Sequence, residues 1–251
     1  MYAGVMKDKT GNNRLTLQHV SKSFGTMPII QDLTLTVNSG ELVVIVGPSG
    51  CGKTTILNLL SGHIQPDLGS VHREGVIRTV YQQDGLFPWL TVSENISMGL
   101  RSLKDPLQRA KELQSLFELI HLQDFKHHYP HELSGGMRQR AELARALAGN
   151  SDILLMDEPF SALDYQTRLR MRYELVRLLE NRPRTVVFVT HDIEEAAQLA
   201  DRVLVLSKRP ATILRELKNS APKPRDLTDS EVVKAMKEIL EELGILKEAG
   251  V

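Results

Sequence analysis

The feature that most constrains this chain is a glycine-rich segment at residues 47–54, which reads Gly-Pro-Ser-Gly-Cys-Gly-Lys-Thr. It fits the pattern G-x-x-x-x-G-K-[ST], in which backbone N–H groups surround phosphate oxygens. Its glycines lack a Cβ atom, so the backbone can bend tightly and direct its N–H groups inward. Lys53 adds a positive charge for the outer phosphates, and the hydroxyl of Thr54 is a ligand for Mg²⁺.

The sequence around this segment has the pattern that a phosphate-binding loop requires. Leu42–Val46 is an unbroken apolar run, as expected for a strand that is buried on both faces. After the loop, apolar residues recur at helical spacing, and Gly62 stands where a helix would stop. The alternative is a glycine turn before a helix, with an unrelated lysine. The order of strand, loop and helix favours nucleotide binding over that alternative.

The second half of the chain alternates strands with helices. Short apolar runs typical of buried strands occur at Ile153–Met156, Val186–Val189 and Val203–Leu206. Charged helical stretches such as Arg168–Glu180 lie between them. This alternation predicts an α/β fold, a P-loop nucleoside triphosphatase core with a mainly parallel sheet.

Two further units are predicted beside this core. The alternation of apolar and polar residues in Leu33–Asn38 indicates an N-terminal antiparallel β subdomain. From roughly Val92 to Leu147 the pattern is helical, so we expect an inserted α-helical subdomain at about residues 90–150.

The end of the chain is expected to be short of strands. Past Arg209 we predict few strands, and Ser230–Leu243 has the pattern of an amphipathic helix. We therefore divide the chain into one domain over residues 14–215 and a short C-terminal helical tail over residues 216–251.

Composition excludes several classes of function. The 251 residues contain 31 Lys plus Arg and 31 Asp plus Glu, and this zero net charge argues against a nucleic-acid partner. No apolar stretch approaches the roughly 18 residues needed to cross a bilayer. The N-terminal residues lack the apolar centre of a signal peptide. With Cys51 as the single cysteine no internal disulfide can form, so we expect a reducing cytoplasm.

Cys51 itself lies inside the glycine-rich loop and has two interpretations. It is either a small side chain that fills a turn, or a thiol whose pKa is lowered by the helix N-terminus that follows. We favour the first.

An acidic pair follows one of the apolar strands. Asp157 stands at the carboxyl end of that strand, where a carboxylate can hold Mg²⁺ beside a phosphate loop. Glu158 comes next and is the better candidate to orient and polarise an attacking water. The alternative is a pair of ordinary surface acids.

A second glycine cluster opens a predicted helix. Ser134, Gly135 and Gly136 precede a helical pattern, and a glycine-rich helix start is another binding site for an anion. Serine is also a favoured residue for a plain helix cap. Together with the first loop, the cluster indicates two phosphate-binding ends for one nucleotide.

The combination of these segments resembles the ATP-binding subunit of ABC transporters, from about Leu15 to Leu214. Leu133–Gln139 matches the family's signature sequence and Ser161–Asp164 its D-loop. Single residues match three further motifs: Gln82 the Q-loop glutamine (with Gln83 as a second possible register), His191 the switch histidine, and Phe24 the aromatic that stacks on adenine. Glu142 departs from the apolar residue that is usual at its place in the signature helix.

The resemblance implies a set of site residues and cofactors. The cofactors are ATP and Mg²⁺. The catalytic residues implied are Glu158, His191, Gln82 and Lys53, and the metal ligands implied are Thr54, Gln82 and Asp157. The nucleotide would be bound by Phe24, Gly47, Pro48, Ser49, Gly50, Cys51, Gly52, Lys53, Thr54, Thr55, Ser134, Gly135 and Gly136.

The resemblance also implies partners. Two copies would face head to tail, with ATP between the phosphate loop of one and the Ser134–Gly136 segment of the other. Integral membrane permease subunits would contact the helical insertion near Gln82, and a periplasmic or extracellular substrate-binding protein would act through them. The chain would then be peripheral, on the cytoplasmic face of the cell membrane.

Within the family, Gly85–Leu90 and Thr190–Ala196 are similar to the bacterial importer branch that serves nitrate, taurine and alkanesulfonates. Two alternatives stay open: a soluble ABC-type ATPase that is not coupled to transport, and an importer for another small solute. A GTPase is disfavoured because the sequence lacks the Asn-Lys-x-Asp pattern that reads guanine.

Overall fold

The computed structural model describes residues 13–82 and 85–245 of the chain. Within these residues, no helix combines the length and the apolar character needed to cross a membrane. The expectations about the N-terminal twelve residues, about Gln83 and about the last six residues of the tail lie outside the described residues.

The described residues form nine strands and seven α-helices. The strands are β1 Asn13–Phe24, β2 Met27–Asn38, β3 Leu42–Val46, β4 Leu68–Arg73, β5 Ile77–Val80, β6 Ile153–Asp157, β7 Thr185–Val189, β8 Arg202–Leu206 and β9 Ile213–Lys218. The helices are α1 Lys53–Ser61, α2 Val92–Gly99, α3 Pro106–Ile120, α4 Gly135–Leu147, α5 Tyr165–Asn181, α6 Ile193–Leu199 and α7 Ser230–Glu242.

A six-stranded sheet forms the centre of the molecule, in the order β5-β6-β7-β3-β8-β9. Its first five strands are parallel, and only β9 pairs antiparallel, with β8. Every residue of β3, β6 and β7 is buried, which explains why these strands are continuous apolar runs in the sequence. Because the carboxyl ends of parallel strands meet at one edge, this order brings the loops after β3, β6 and β7 together.

A separate three-stranded antiparallel sheet, in the order β2-β1-β4, contains the N-terminal strands. The long hairpin of β1 and β2 ends at the pair formed by Phe24 and Met27. The inward residues of this sheet share a core with β3 and α1, so the tip of the hairpin is held near the loop after β3. The predicted fold class, a P-loop core with a parallel sheet and an N-terminal antiparallel unit, is confirmed.

Helices α2, α3 and α4 lie between β5 and β6 in the chain, where the helical insertion was expected. Each is preceded by an N-cap residue whose side chain accepts a backbone N–H of the first turn: Thr91, Asp105 and Ser134. Glu142 of α4, which stands where the signature helix usually has an apolar residue, is buried. Its carboxylate accepts the N–H of Gly85 at 2.7 Å and pairs with Arg145 at 3.0 Å, which compensates the buried charge.

The structure contains two strands that were not predicted from the sequence. Strand β4 is mostly exposed and pairs with β1, and strand β9 pairs with β8 after Arg209, where few strands were expected. The residue 215 boundary drawn from the sequence falls within β9. Beyond it, α7 buries Val232 and Ile239 against the domain.

Candidate active site

The glycine-rich segment forms the turn between β3 and α1. Gly50 has φ +71° and Gly52 has φ +125°, values at which a side chain would strain the backbone. A Cβ atom at Gly52 would also lie 3.0 Å from Cγ2 of Ile29. Helix α1 begins directly after this turn, so its first N–H groups and its dipole face the space that an anion would enter.

Lys53 lies within this loop rather than extending into solvent. Its ammonium donates to the carbonyl oxygens of Gly47 at 2.8 Å and Pro48 at 3.1 Å, and the side chain is buried. A buried ammonium that is hydrogen-bonded to backbone carbonyl oxygens brings a positive charge to the loop, which suits a polyphosphate ligand.

Asp157, at the end of β6, lies beside the start of α1. Burial raises the pKa of its carboxyl group and the charge of Glu158 raises it further, whereas a hydrogen bond from Thr54 and the charge of Lys53 lower it. A buried carboxylate in contact with a threonine hydroxyl is a pair of hard oxygen ligands. These two residues therefore fit Mg²⁺, as expected from the sequence.

Glu158 has an unusual backbone conformation for a residue other than glycine, with φ +48°. Its N–H donates to the carbonyl oxygen of Val189 at the end of β7, at 2.9 Å. A non-glycine residue in this region costs of order 1–3 kcal/mol and persists only when its surroundings hold it. Strain of this kind at the end of a central strand is typical of a functional position.

Two side chains converge on the carboxylate of Glu158. Its Oε2 lies 3.1 Å from Nδ1 of His191 and 3.5 Å from Nε2 of Gln82. His191 follows β7 and Gln82 follows β5, so the order of the parallel strands brings together residues that are far apart in the sequence. The imidazole of His191 is mostly exposed, and the three groups therefore face an open side of the sheet.

Gln139 is a site residue that the sequence analysis used only as part of a motif. Its side-chain amide donates to the carbonyl oxygen of Glu158 at 3.1 Å and to Oγ of Ser161 at 3.3 Å. Its side-chain oxygen accepts the N–H of Ala162 at 2.9 Å. This buried residue of α4 thus holds both the strained Glu158 and the loop that follows it.

A buried charge cluster supports the segment that carries His191, and sequence reasoning missed it. Arg172 of α5 is 1% exposed and lies 2.7 Å from Asp192 and 3.4 Å from Glu195. Thr190 donates to Glu195 at 2.6 Å. Burial raises the pKa of Glu195, opposed by the Thr190 hydrogen bond and the charge of Arg172. No periodicity marks these residues in the sequence.

The segment Ser134–Gly136 lies at the start of α4. Ser134 is the N-cap of the helix, and its hydroxyl accepts the N–H of Met137 at 3.3 Å. A Cβ atom at Gly136 would lie 3.1 Å from the carbonyl oxygen of Ala162, so the helix start packs closely against the loop after Glu158. Ser134 is exposed, and the face that it presents is accessible.

Phe24 stands at the tip of the β1–β2 hairpin. Its ring is 53% exposed, and Nζ of Lys22 lies 5.9 Å from the ring centroid. An exposed aromatic ring on a rigid hairpin is not a core residue, and its open face suits stacking with a planar base.

Cys51 fills space within the phosphate loop. Its side chain is buried, and its sulfur would lie 3.0 Å from a Cβ atom placed at Gly47. Burial raises the pKa of the thiol, and the charge of Lys53 opposes this only in part. The alternative of an activated thiol with a lowered pKa is therefore wrong, and the small packing residue is the interpretation that the structure supports.

The remaining predicted site residues lie in the same loop. Pro48 and Ser49 form its outer turn, closed by a hydrogen bond from the N–H of Cys51 to the carbonyl oxygen of Pro48 at 3.2 Å. Thr54 and Thr55 belong to the first turn of α1. The structure thus brings the loop, Asp157, Glu158, Gln82 and His191 to one edge of the central sheet.

Comparison with known proteins identifies the family of this arrangement. Residues 30–161 match the model of the ABC transporter family, which is more than half of the chain. An aliphatic sulfonates import ATP-binding protein of Pseudomonas syringae pv. tomato is 41% identical over 223 residues, which cover 88% of this chain and 94% of that protein. The taurine import ATP-binding protein of Escherichia coli O157:H7 is 39% identical over 212 residues, covering 81% and 83%.

A solved structure has the same architecture. It is a dimeric ATP-binding cassette in a post-hydrolysis state, bound to ADP and Pi, and it is 33% identical to this chain with a TM-score of 0.74. The match covers 83% of this chain and all of that one.

Proposed function

This chain belongs to the ABC transporter family as an ATP-binding protein, and we propose that it is the ATP-hydrolysing subunit of a bacterial importer for a small anion. As a member of this family it is an ATPase. Its proposed cargo is a sulfonate such as taurine or an alkanesulfonate, or nitrate. The relatives named for sulfonate and taurine import support this choice.

One observation carries the assignment of the catalytic residues: the approach of His191 and Gln82 to the same oxygen of Glu158, at 3.1 and 3.5 Å. A carboxylate held in this way can accept a hydrogen bond from a water molecule. The lone pair of that water is then directed towards a phosphorus atom. His191 holds the carboxylate in position and can bind a terminal phosphate oxygen, and Gln82 orients the water from the other side.

The phosphate loop is proposed to hold the polyphosphate. The N–H groups of residues 47–55 bind phosphate oxygens, and Lys53 turns from the carbonyl groups of the loop towards the outer phosphates. Thr54, Asp157 and Gln82 would hold Mg²⁺, which supplies charge neutralisation when it is bound. Phe24 would stack on the adenine.

The functional unit is proposed to be a head-to-tail homodimer. The exposed start of α4, with Ser134, Gly135 and Gly136, would bind the phosphates of ATP held by the other copy. ATP then stabilises the closed pair more than the open pair, and hydrolysis removes this bias. The dimeric state of the related cassette supports this proposal.

The domain division follows from the same proposal. The ATPase domain, drawn from the sequence over residues 14–215, would extend to the end of β9 at Lys218, and the chain beyond β9 would form the tail. The helical subdomain at about 90–150 would contact integral membrane permease subunits. The permease would hold the chain on the cytoplasmic face of the membrane and connect it to a substrate-binding protein. The exposed Trp89, which contacts Phe87 at a centroid distance of 5.4 Å, lies in the segment after Gln82 and suits such a contact.

The experiment that tests this function compares two variants in one transport assay. The chain is purified with its membrane subunits, reconstituted into liposomes, and assayed for ATP hydrolysis and for uptake of taurine, ethanesulfonate and nitrate. Glu158→Gln keeps the shape of the side chain and should reduce turnover at least about a hundredfold. Glu74→Gln, at an exposed glutamate between β4 and β5, is the matched control and should behave as the wild type.

The outcomes separate the alternatives. Loss of both activities in Glu158→Gln supports the proposal. Near-normal turnover in that variant would remove Glu158 from the catalytic role. ATP hydrolysis without membrane partners or uptake would indicate a soluble ABC-type ATPase, and uptake of a different solute would indicate an importer with another cargo.

A further inference from the structure

The loop after β8 lies between the phosphate loop and the tip of the β1–β2 hairpin. The N–H of Ala211 donates to the carbonyl oxygen of Ile29 at 2.7 Å, and the N–H of Gln31 donates back to Ala211 at 3.2 Å. A third hydrogen bond, from the N–H of Ser207 to the carbonyl oxygen of Thr212 at 3.0 Å, closes the loop at its base. The loop is thus fixed to β2, and the residue at its outer end has a defined position.

That residue is Arg209, and its guanidinium connects two parts of the candidate site. Nη1 lies 3.1 Å from Sδ of Met27, which pairs with Phe24 across the hairpin. Nη2 lies 3.2 Å from the position that a Cβ atom would take at Gly50 of the phosphate loop. The planar guanidinium of Arg209 therefore lies between the phosphate loop and Met27, the residue that pairs with Phe24.

The charge of Arg209 is available to a ligand. Among the residues that the structure describes, no carboxylate forms an ion pair with it, whereas the nearby Lys22 is paired with Asp67 at 2.6 Å. Its field also reaches into the loop: burial raises the pKa of the Cys51 thiol, and the charge of Arg209 is among the influences that lower it. An exposed guanidinium next to a polyphosphate site is a strong donor to phosphate oxygens.

We propose that Arg209 is a nucleotide-binding residue that donates to the α-phosphate and the ribose of ATP. If the base of a nucleotide stacks on Phe24 and its outer phosphates bind residues 47–54, its ribose and α-phosphate must lie between these two places. The guanidinium lies there, 3.1 Å from the hairpin and 3.2 Å from the loop position. This inference rests on the proposed nucleotide site. It adds Arg209 to that site, a residue that lies outside the motifs found in the sequence.

The test measures the dissociation constants of ATP and ADP by calorimetry, in the presence of Mg²⁺, for the purified full chain. Arg209→Gln should weaken the binding of both nucleotides by about tenfold or more, because a charge-assisted hydrogen bond to a group common to ATP and ADP is lost. Arg209→Lys keeps the charge without the planar fork, so its loss should be smaller. Lys208→Gln removes the adjacent exposed charge and is the matched control, with unchanged affinities expected.

Lys53→Ala is a further variant in the same experiment and separates this inference from the site on which it rests. If Lys53→Ala weakens ATP binding and Arg209→Gln does not, the inference fails and the proposed site stands. If neither variant changes the affinity, the site itself is wrong. A loss that is confined to ATP would place Arg209 at the γ-phosphate and overturn the α-phosphate contact. An equal loss in Lys208→Gln would show a general charge effect and would also overturn it.

Discussion

The side-chain amide of Gln139 donates to the carbonyl oxygen of Glu158 at 3.1 Å, so a residue of α4 holds the backbone of the proposed catalytic base. Glu158 has φ +48°, and such a conformation needs support from its neighbours. The helix that carries the Ser134–Gly136 segment is therefore connected directly to the residue that is proposed to prepare the attacking water.

Gln139→Ala should reduce kcat by about tenfold to a hundredfold, because a small displacement of a catalytic group has an effect of this size. ATP affinity should change little, since Gln139 contacts the loop after Glu158 and not the phosphate loop. Steady-state kinetics and nucleotide titration measure both quantities. Gln114→Ala, at an exposed glutamine of α3, is the control. Unchanged kcat in Gln139→Ala would contradict the positioning role.

Arg172→Leu should lower the free energy of unfolding by up to about 3–5 kcal/mol, because the carboxylates of Asp192 and Glu195 lose their buried partner and keep only the more exposed Arg168. Urea denaturation measures this loss, and Arg170→Leu, at an exposed position of the same helix, should stay within about 0.5 kcal/mol of the wild type. Equal stability of the two variants would mean that Arg172 does not compensate these charges.

Asp157→Asn should stabilise the nucleotide-free protein at neutral pH. Burial raises the pKa of Asp157, so the folded protein binds this proton more readily than the unfolded chain. The contribution of this group to stability therefore decreases as pH rises from the unfolded pKa through the folded pKa. Thermal melts should give a higher Tm for Asp157→Asn at pH 7, and the difference should shrink in acid.

The same variant should lose Mg²⁺-dependent hydrolysis of ATP, because an amide is a weaker ligand than a carboxylate. A lower Tm at pH 7 would contradict the electrostatic cost assigned to Asp157. Hydrolysis at the wild-type rate would exclude it from metal binding.

The buried strands of the core were predictable from the sequence, whereas β4 and β9, each at the edge of a sheet, were not. Strands β3, β6 and β7 are buried on both faces, so burial leaves an unbroken apolar run. Strand β4 is mostly exposed, and β9 contains a single buried residue, Leu217. Pairing with β1 and β8 determines these strands, and such long-range pairing leaves little local pattern.

The residues of the candidate site that belong to a sequence motif were predictable. The glycines of the phosphate loop and the two acids at the end of β6, Asp157 and Glu158, have fixed local roles and are visible in the sequence. Arg172 and Arg209 act through residues that are distant in the chain, so their contacts follow only from the fold. Whether the pKa of Cys51 is raised or lowered could be decided only from the structure, because burial raises this pKa by more than the nearby positive charges lower it.

Binding of ATP between two copies of this chain is the proposal on which the mechanism depends. Its most direct test is the mass of the Glu158→Gln variant in solution, measured by light scattering after size-exclusion chromatography, with ATP and with ADP at saturation. Binding between two copies predicts the mass of a dimer with ATP and the mass of a monomer with ADP. A variant that is saturated with ATP and still has the mass of one chain would contradict it.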